Sequence, residues 1–183
     1  MNFKRLVFVT SNLHKLREAE EVLGFRLAHK ALDLEEIQSL SLEAVVHHKA
    51  LGARAYIDGP VLVEDTALEL LGMNGFPGPL IRWLLSSVGP DGICTLADGF
   101  SERRAVVRCM ACAADHSEEL TGLGVVEGQI AAHPRGHNGF GWDSVFIPSG
   151  GGGKTYAEME TPEKNQISHR RLALESLRRT LGC

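Results

Sequence analysis

No run of this sequence approaches the ~18 consecutive apolar residues that a membrane-spanning helix needs. Met1-Asn2-Phe3-Lys4-Arg5 leads straight into Leu6-Val7-Phe8-Val9, with neither a long apolar core nor a small-residue cleavage site, so no secretory leader is expected. Cysteine is scarce. The four, at 94, 109, 112 and 183, are too few and too unevenly spaced for a disulfide framework, which points to a reducing compartment and a cytoplasmic protein. Net positive charge is lacking as well. At a formal charge of -4 the chain has no general attraction for nucleic acid or anionic lipid, so neither is an expected partner. Any phosphate ligand must be met by local positive charge, which favours a small molecule.

What is present is the makings of a core. With 44% hydrophobic and 23% charged residues over 183, one domain spanning 1–183 is expected, with room for two lobes. Leu6 to Val9 reads as a strand buried on both faces, ended by Thr10-Ser11-Asn12. A helix follows, with Leu13, Leu16, Ala19, Val22 and Leu23 at helical spacing, Ser11 or Asn12 as its cap and Gly24 as its stop. A strand-like region over 25–34 precedes a second helix over 42–56. Val61-Leu62-Val63 is another buried strand, ending in Glu64-Asp65. The Gly72 to Pro79 turn leads to a helix over 80–87, and Ala105 to Ala114 and Leu120 to Ile130 form an antiparallel hairpin. A glycine-rich loop, 133–143, precedes strand Val145 to Ile147, and an amphipathic helix opened by Asn165 or Ser168 closes the chain. Early strand-helix-strand order beside a late hairpin argues for an α/β fold with a mixed sheet. Cys109 and Cys112 form a CxxC, but on a strand a spacing of three sends the sulfurs to opposite faces, so both read as structural.

Two helix starts carry the wrong charge. His14 and Lys15 fall in the first turn of one helix, and His169, Arg170 and Arg171 at the start of the last, where the helix dipole disfavours cations unless an anion is present. One such start is an ordinary cap with a solvated lysine. Two of them, with Lys164 nearby, suggest a polyanion held between distant parts of the chain; the alternative is that Arg170 and Arg171 pair with Glu160 or Glu163 on the surface. Glu64 and Asp65 stand where α/β sheets commonly put catalytic groups, and a carboxylate beside phosphates implies a divalent cation between them. Glu36 is a candidate second ligand, though acidic stretches such as 33–36 are more often solvated loops. Phe140 and Trp142 sit in the irregular loop, where aromatics can stack on a base. Pro148 to Thr155 imitates a phosphate-binding GxxxxGK[ST] loop, but its first glycine is replaced by Pro148, and Pro162 is a poor fit to the helix that loop requires.

In order and spacing, these segments resemble the inosine triphosphate pyrophosphatases from Leu6 to Leu181. The carrying motifs are Val9-Thr10-Ser11-Asn12-x-x-Lys15-Leu16, Val63-Glu64-Asp65-Thr66, Gly75-Phe76-Pro77-Gly78-Pro79 with Arg82-Trp83, Gly139-Phe140-Gly141-Trp142-Asp143, and Thr155 to Met159 followed by Glu163-Lys164-Asn165 and Ser168-His169-Arg170-Arg171. The Glu64-Asp65-Thr66 and Trp83 details look like the eukaryotic branch. The resemblance implies an elongated mixed sheet with flanking helices, two lobes around a nucleotide cleft, and a homodimer. It implies that Thr10, Ser11, Asn12, Leu13, His14, Lys15 and Lys49 cradle the phosphates, and that Lys15 and Asp65 are catalytic. Asp65 and Glu36 would bind Mg2+, with Mn2+ as the alternative ion. Thr66 and Arg82 would line the cleft, while Phe140, Gly141, Trp142, Asp143, Lys164, His169 and Arg170 would form the base pocket. The activity implied is hydrolysis of ITP, dITP and XTP to monophosphate and pyrophosphate. On this reading, loss of Arg170 harms recognition of the base more than stability. Two departures, Ser144 where proline is usual and the Gly150 to Gly153 run, fall outside the expected chemistry. The alternatives are a similarly folded enzyme acting on modified pyrimidine nucleotides and a catalytically silent nucleotide binder.

Overall fold

A computed structural model describes residue 1 and residues 3–182; Asn2 and Cys183 lie outside the described residues, so the structural reading of Cys183 has no counterpart here. The chain forms β1 (Val7–Val9), α1 (Leu13–Leu23), β2 (Ala28–Lys30), α2 (Leu42–Arg54), β3 (Val61–Leu70), β4 (Pro77–Gly78), α3 (Ile81–Asp98), β5 (Arg104–Ala114), β6 (Glu119–Ile130), β7 (Phe146–Pro148), α4 (Thr161–Ile167) and α5 (His169–Thr180). The strands make one mixed sheet in the order β2-β1-β3-β5-β6-β7, with β4 added to β3. β1 is parallel to both β2 and β3, and the remaining pairs are antiparallel. Among the described residues no helix is long and apolar enough to cross a membrane.

Alternation along β3 decides what each face meets. Leu62 points into a core formed with Ala19 and Leu23 of α1 and Ala173, Leu174 and Leu177 of α5. Val61, Val63 and Ala67 point the other way, onto Val46, Ala50 and Ala53 of α2. Beyond Ala67 the long strands enter a third core, where Leu68, Leu70 and Val107 meet α3 and the rings of Trp142, Phe146 and Tyr156. Cys109 lies in the first core and Cys112 in the second, on opposite faces as the spacing requires. Burial pushes the Cys112 thiol up to about 12 and Cys109 well above its ordinary value, so neither is a reactive thiolate.

Several expectations need correction. β3 does not end at Glu64-Asp65 but runs on to Leu70, because β5 supplies a partner at every position from Ala114 opposite Val61 to Ala105 opposite Leu70. The strand that ends beside those acids is β1, whose last pairing with β3 is Phe8 with Leu62. The extended region over 25–34 shrinks to β2, since β1 offers only three residues to pair with. The third helix is longer than 80–87: Gly89 breaks it at φ 68°, and Pro90 opens a second stretch to Asp98. The polar segment after 154 contains α4, with Pro162 in its first turn, where a missing N–H costs nothing.

α5 lies directly on β6 because β6 has no side chains there. A Cβ at Gly124 would stand 2.0 Å from the His169 carbonyl oxygen, and one at Gly122 would stand 2.2 Å from the Leu177 nitrogen. Backbone cannot give way as a side-chain tip does. Gly124→Ala therefore lowers stability by about 1–3 kcal/mol, the usual cost of overpacking. Urea unfolding checks it, and an unchanged midpoint would contradict the close approach.

Candidate active site

The loop between β1 and α1 is built by its own side chains. Asn12 caps α1, its Oδ1 accepting the N–H of His14 (2.9 Å) and of Lys15 (3.4 Å), and Thr10 Oγ1 accepts the Asn12 N–H (3.1 Å). Three of the amides in the stretch expected to cradle phosphates are thus already satisfied, which shifts the burden of anion binding to side chains. His29 on β2 donates to the Thr10 carbonyl (2.8 Å) and ties the loop to the sheet edge.

Beyond the end of β1 opens a cavity of about 490 Å3. Its lining includes Thr10, Ser11, Asn12 and Lys15, then Glu36, Lys49, Glu64, Asp65 and Thr66, and finally Arg82, Phe140, Gly141 and Trp142. Leu13 and His14 do not line it; both are exposed, and the His14 ring stacks on Phe140 with centroids 5.1 Å apart. Asp143, Lys164, His169 and Arg170 do not line it either, each being 2–4% exposed. They lie against the wall, with Lys164 Nζ 5.1 Å and Arg170 Cζ 5.8 Å from the Phe140 ring, and His169 5.3 Å from Trp142. The expected base pocket is therefore divided into an aromatic layer that lines the cavity, half-buried Phe140 and buried Trp142, and a buried polar layer behind it.

Carboxylates organise both parts. Lys49 Nζ donates to Glu36 Oε1 (2.8 Å) and Asp65 Oδ2 (3.3 Å), so these two acids converge on one ammonium, and Arg82 donates to Glu36 Oε2 (3.0 Å). Burial would raise the Glu36 carboxyl, but Lys49 and Arg82 hold it below its ordinary value. Glu64 faces away from Asp65, as neighbours on a strand do, with Lys15 Nζ 2.6 Å from Oε1 and Arg170 Nε 3.1 Å from Oε2. Lys15 also lies 3.9 Å from Asp65. Glu18 pairs with Arg170 and, at 2.6 Å, with Lys164, which in turn donates to Asp143 (2.8 Å). Burial favours the neutral acid of Asp143 and outweighs Lys164, raising its carboxyl, whereas in Glu18 burial is outweighed by Arg170 and Lys164.

Arg170 thus pairs with neither Glu160 nor Glu163 but with Glu18 and Glu64 inside the protein. Its loss is therefore expected to strike at stability first, contrary to the expectation drawn from the sequence. Glu18 was missed altogether. The available signal was its position on α1, three residues after Lys15 and four before Val22 and hence on the same face as both.

His169 is 2% exposed, and among the described residues its Nδ1 has no hydrogen-bond partner. Burial pushes its pKa well below the ordinary histidine value, and Arg170 and Lys164 add to the effect. Folded His169 stays neutral where an unfolded histidine takes a proton, so stability is whole above ~6.5 and falls as pH drops below it. Between pH 7.5 and 5.5 this one group therefore lowers stability. Urea midpoints at the two pH values should show that loss in the parent and its reduction in His169→Gln.

Whether a metal fits follows from the donors. Among the described residues no three acids, histidines or cysteines cluster as a metal cage. Mg2+ needs none, since it is typically held by one or two carboxylates together with substrate phosphates and water. Glu36 and Asp65, hard oxygen donors that already share one cation, suit that role. Lys154, by contrast, is half exposed and pairs with Glu163, so the Gly150 to Gly153 run is a surface turn with no phosphate cradle.

Residues 6–180 match the Ham1 family model. The chain is 43% identical over 177 residues to an inosine triphosphate pyrophosphatase of Schizosaccharomyces pombe, covering 94% of this chain and 93% of that protein. It is 39% identical over 184 residues to a dITP/XTP pyrophosphatase of Hyperthermus butylicus, covering 99% and 96%. Among solved structures, the Ham1 protein of Staphylococcus aureus superposes with a TM-score of 0.81 at 25% identity, over 97% of this chain and 98% of the other.

Proposed function

The chain belongs to the Ham1 family, and from that premise we propose that it hydrolyses the non-canonical purine nucleoside triphosphates ITP, dITP and XTP to monophosphate and pyrophosphate. The observation that carries the proposal is the cavity itself, which brings Lys15 and a polar turn together with the converging carboxylates Glu36 and Asp65.

Charge balance supports a role for magnesium. The ion pairs of the site join five cations, Lys15, Lys49, Arg82, Lys164 and Arg170, to five carboxylates, Glu18, Glu36, Glu64, Asp65 and Asp143. A triphosphate added to a balanced site brings uncompensated negative charge. Mg2+ held by Glu36 and Asp65 would supply the missing positive charge and acidify the attacking water.

The chain's own groups do the rest. Lys15, on a strand-anchored helix start, donates to the phosphates and stabilises the charge of departing pyrophosphate. Lys49 turns from the acids to the phosphate oxygens. Asp65 orients the water for attack at the α-phosphorus and accepts its proton. Phe140 and Trp142 offer faces to the base, and a 6-oxo purine presents an acceptor where adenine presents a donor. Leaving such a buried polar group mispaired costs about 1–3 kcal/mol, which supports discrimination against ATP. A homodimer and a cytoplasmic location belong to the same proposal, the latter supported by the scarcity of cysteine.

Turnover of ITP in 18O-labelled water tests the point of attack. Label is expected in the monophosphate; label in pyrophosphate would mean attack at the β-phosphorus and overturn the assignment of Asp65.

A further inference from the structure

The two cations that begin helices α1 and α5, Lys15 and Arg170, come from opposite ends of the chain, and one carboxylate answers both. Glu64 gives Oε1 to Lys15 Nζ at 2.6 Å and Oε2 to Arg170 Nε at 3.1 Å. The S–H of Cys109, on the neighbouring strand, donates to the same Oε2 over 3.2 Å. Glu64 is 4% exposed, and its backbone is held on a strand paired with Ala111 of β5.

No other acid duplicates this position. Glu18 reaches Arg170 and Lys164, and Asp65 reaches Lys15 and Lys49. Among the described residues Glu64 is the carboxylate that pairs with both Lys15 and Arg170. Lys15 lines the cavity beside Asp65, whereas Arg170 lies against the Phe140 ring. A carboxylate shared between two cations binds each more weakly than it would bind one. When a phosphate draws Lys15 away, more of the Glu64 charge falls to Arg170 and fixes its guanidinium; when a base seated on Phe140 settles the Arg170 guanidinium behind that ring, Lys15 is more easily released to a phosphate.

We propose that Glu64 is a positioning residue that couples occupancy of the base end of the site to occupancy of the phosphate end, an inference that rests on the substrate reading above. It makes binding at one end strengthen binding at the other, so that a correct base sets Lys15 for the triphosphate.

Calorimetric titration of the full chain with two half-ligands, inosine and magnesium pyrophosphate, tests it. In the parent protein each half-ligand is expected to tighten the other by at least about fivefold, and by thermodynamic reciprocity the two factors are equal. In Glu64→Gln, which keeps the shape and removes the charge, the factor falls to within about twofold while each half-ligand alone still binds. Should that variant fail to fold, Cys109→Ala removes one hydrogen bond from Oε2, leaves every charge in place, and is expected to lower the factor as well. A merely structural Glu64 would weaken both affinities and leave their ratio alone. An absent coupling in the parent, or an undiminished one in the variants, overturns the proposal while the substrate reading stands. A parent protein that releases no pyrophosphate from ITP overturns both.

Discussion

Asp65→Asn is expected to lower turnover of ITP by about 10^3-fold, the scale of losing a positioned general base, with little change in the unfolding midpoint. The side chain keeps its size and its place on β3, where the strand continues to Leu70 and is paired throughout. Its Oδ1 accepts the Thr66 N–H at 2.8 Å, a bond that an amide oxygen preserves. What disappears is the negative charge that faces Lys49 and that would hold both a metal and the proton of the attacking water. Lys49 remains paired with Glu36 at 2.8 Å, so no buried cation is stranded. Initial rates with saturating ITP and Mg2+, set beside a urea unfolding curve, separate lost chemistry from lost fold. A near-parental kcat would remove Asp65 from the mechanism.

Arg170→Ala is the opposite case, with its largest effect on stability. Removing the guanidinium leaves Glu18 and Glu64, 7% and 4% exposed, without a cation that both use, and breaking a buried ion pair from one side costs about 3–5 kcal/mol. Lys164 and Lys15 remain for the two acids and keep the cost from rising further. The neighbouring Arg171 provides the internal control. It pairs with Glu175 one turn along the helix surface, both side chains more than a third exposed, and Arg171→Ala is expected to cost no more than about 1 kcal/mol. Equal losses for the two variants, measured by urea unfolding, would contradict the buried network.

Much of the fold was legible because it rests on local rules. α1 begins after Asn12 and stops at Gly24, and the 105–114 and 120–130 alternation forms the central hairpin as read. The lengths that were misread depend on partners: β3 extends because β5 is long, and β2 contracts because β1 is short. The site was legible in its residue types. Lys15, Lys49, Glu36, Asp65 and Thr66 do meet at one cavity, although they come from four separate elements and loops. What could not be read was depth. Pattern and motif alike make Lys164, His169 and Arg170 look like cavity residues, but whether a cation lines a cleft or lies under it depends on which acids the fold brings to it. Glu18 and Glu64 arrive through α1 and β3, far away in sequence.

The central claim is tested most directly by incubating the purified protein with ITP, XTP, dITP, GTP and ATP, with and without Mg2+, and measuring pyrophosphate separately from orthophosphate. Magnesium-dependent pyrophosphate from ITP, XTP and dITP, with little from ATP or GTP, is the expected result. Orthophosphate as the product, or equal turnover of ATP and ITP, would contradict the account.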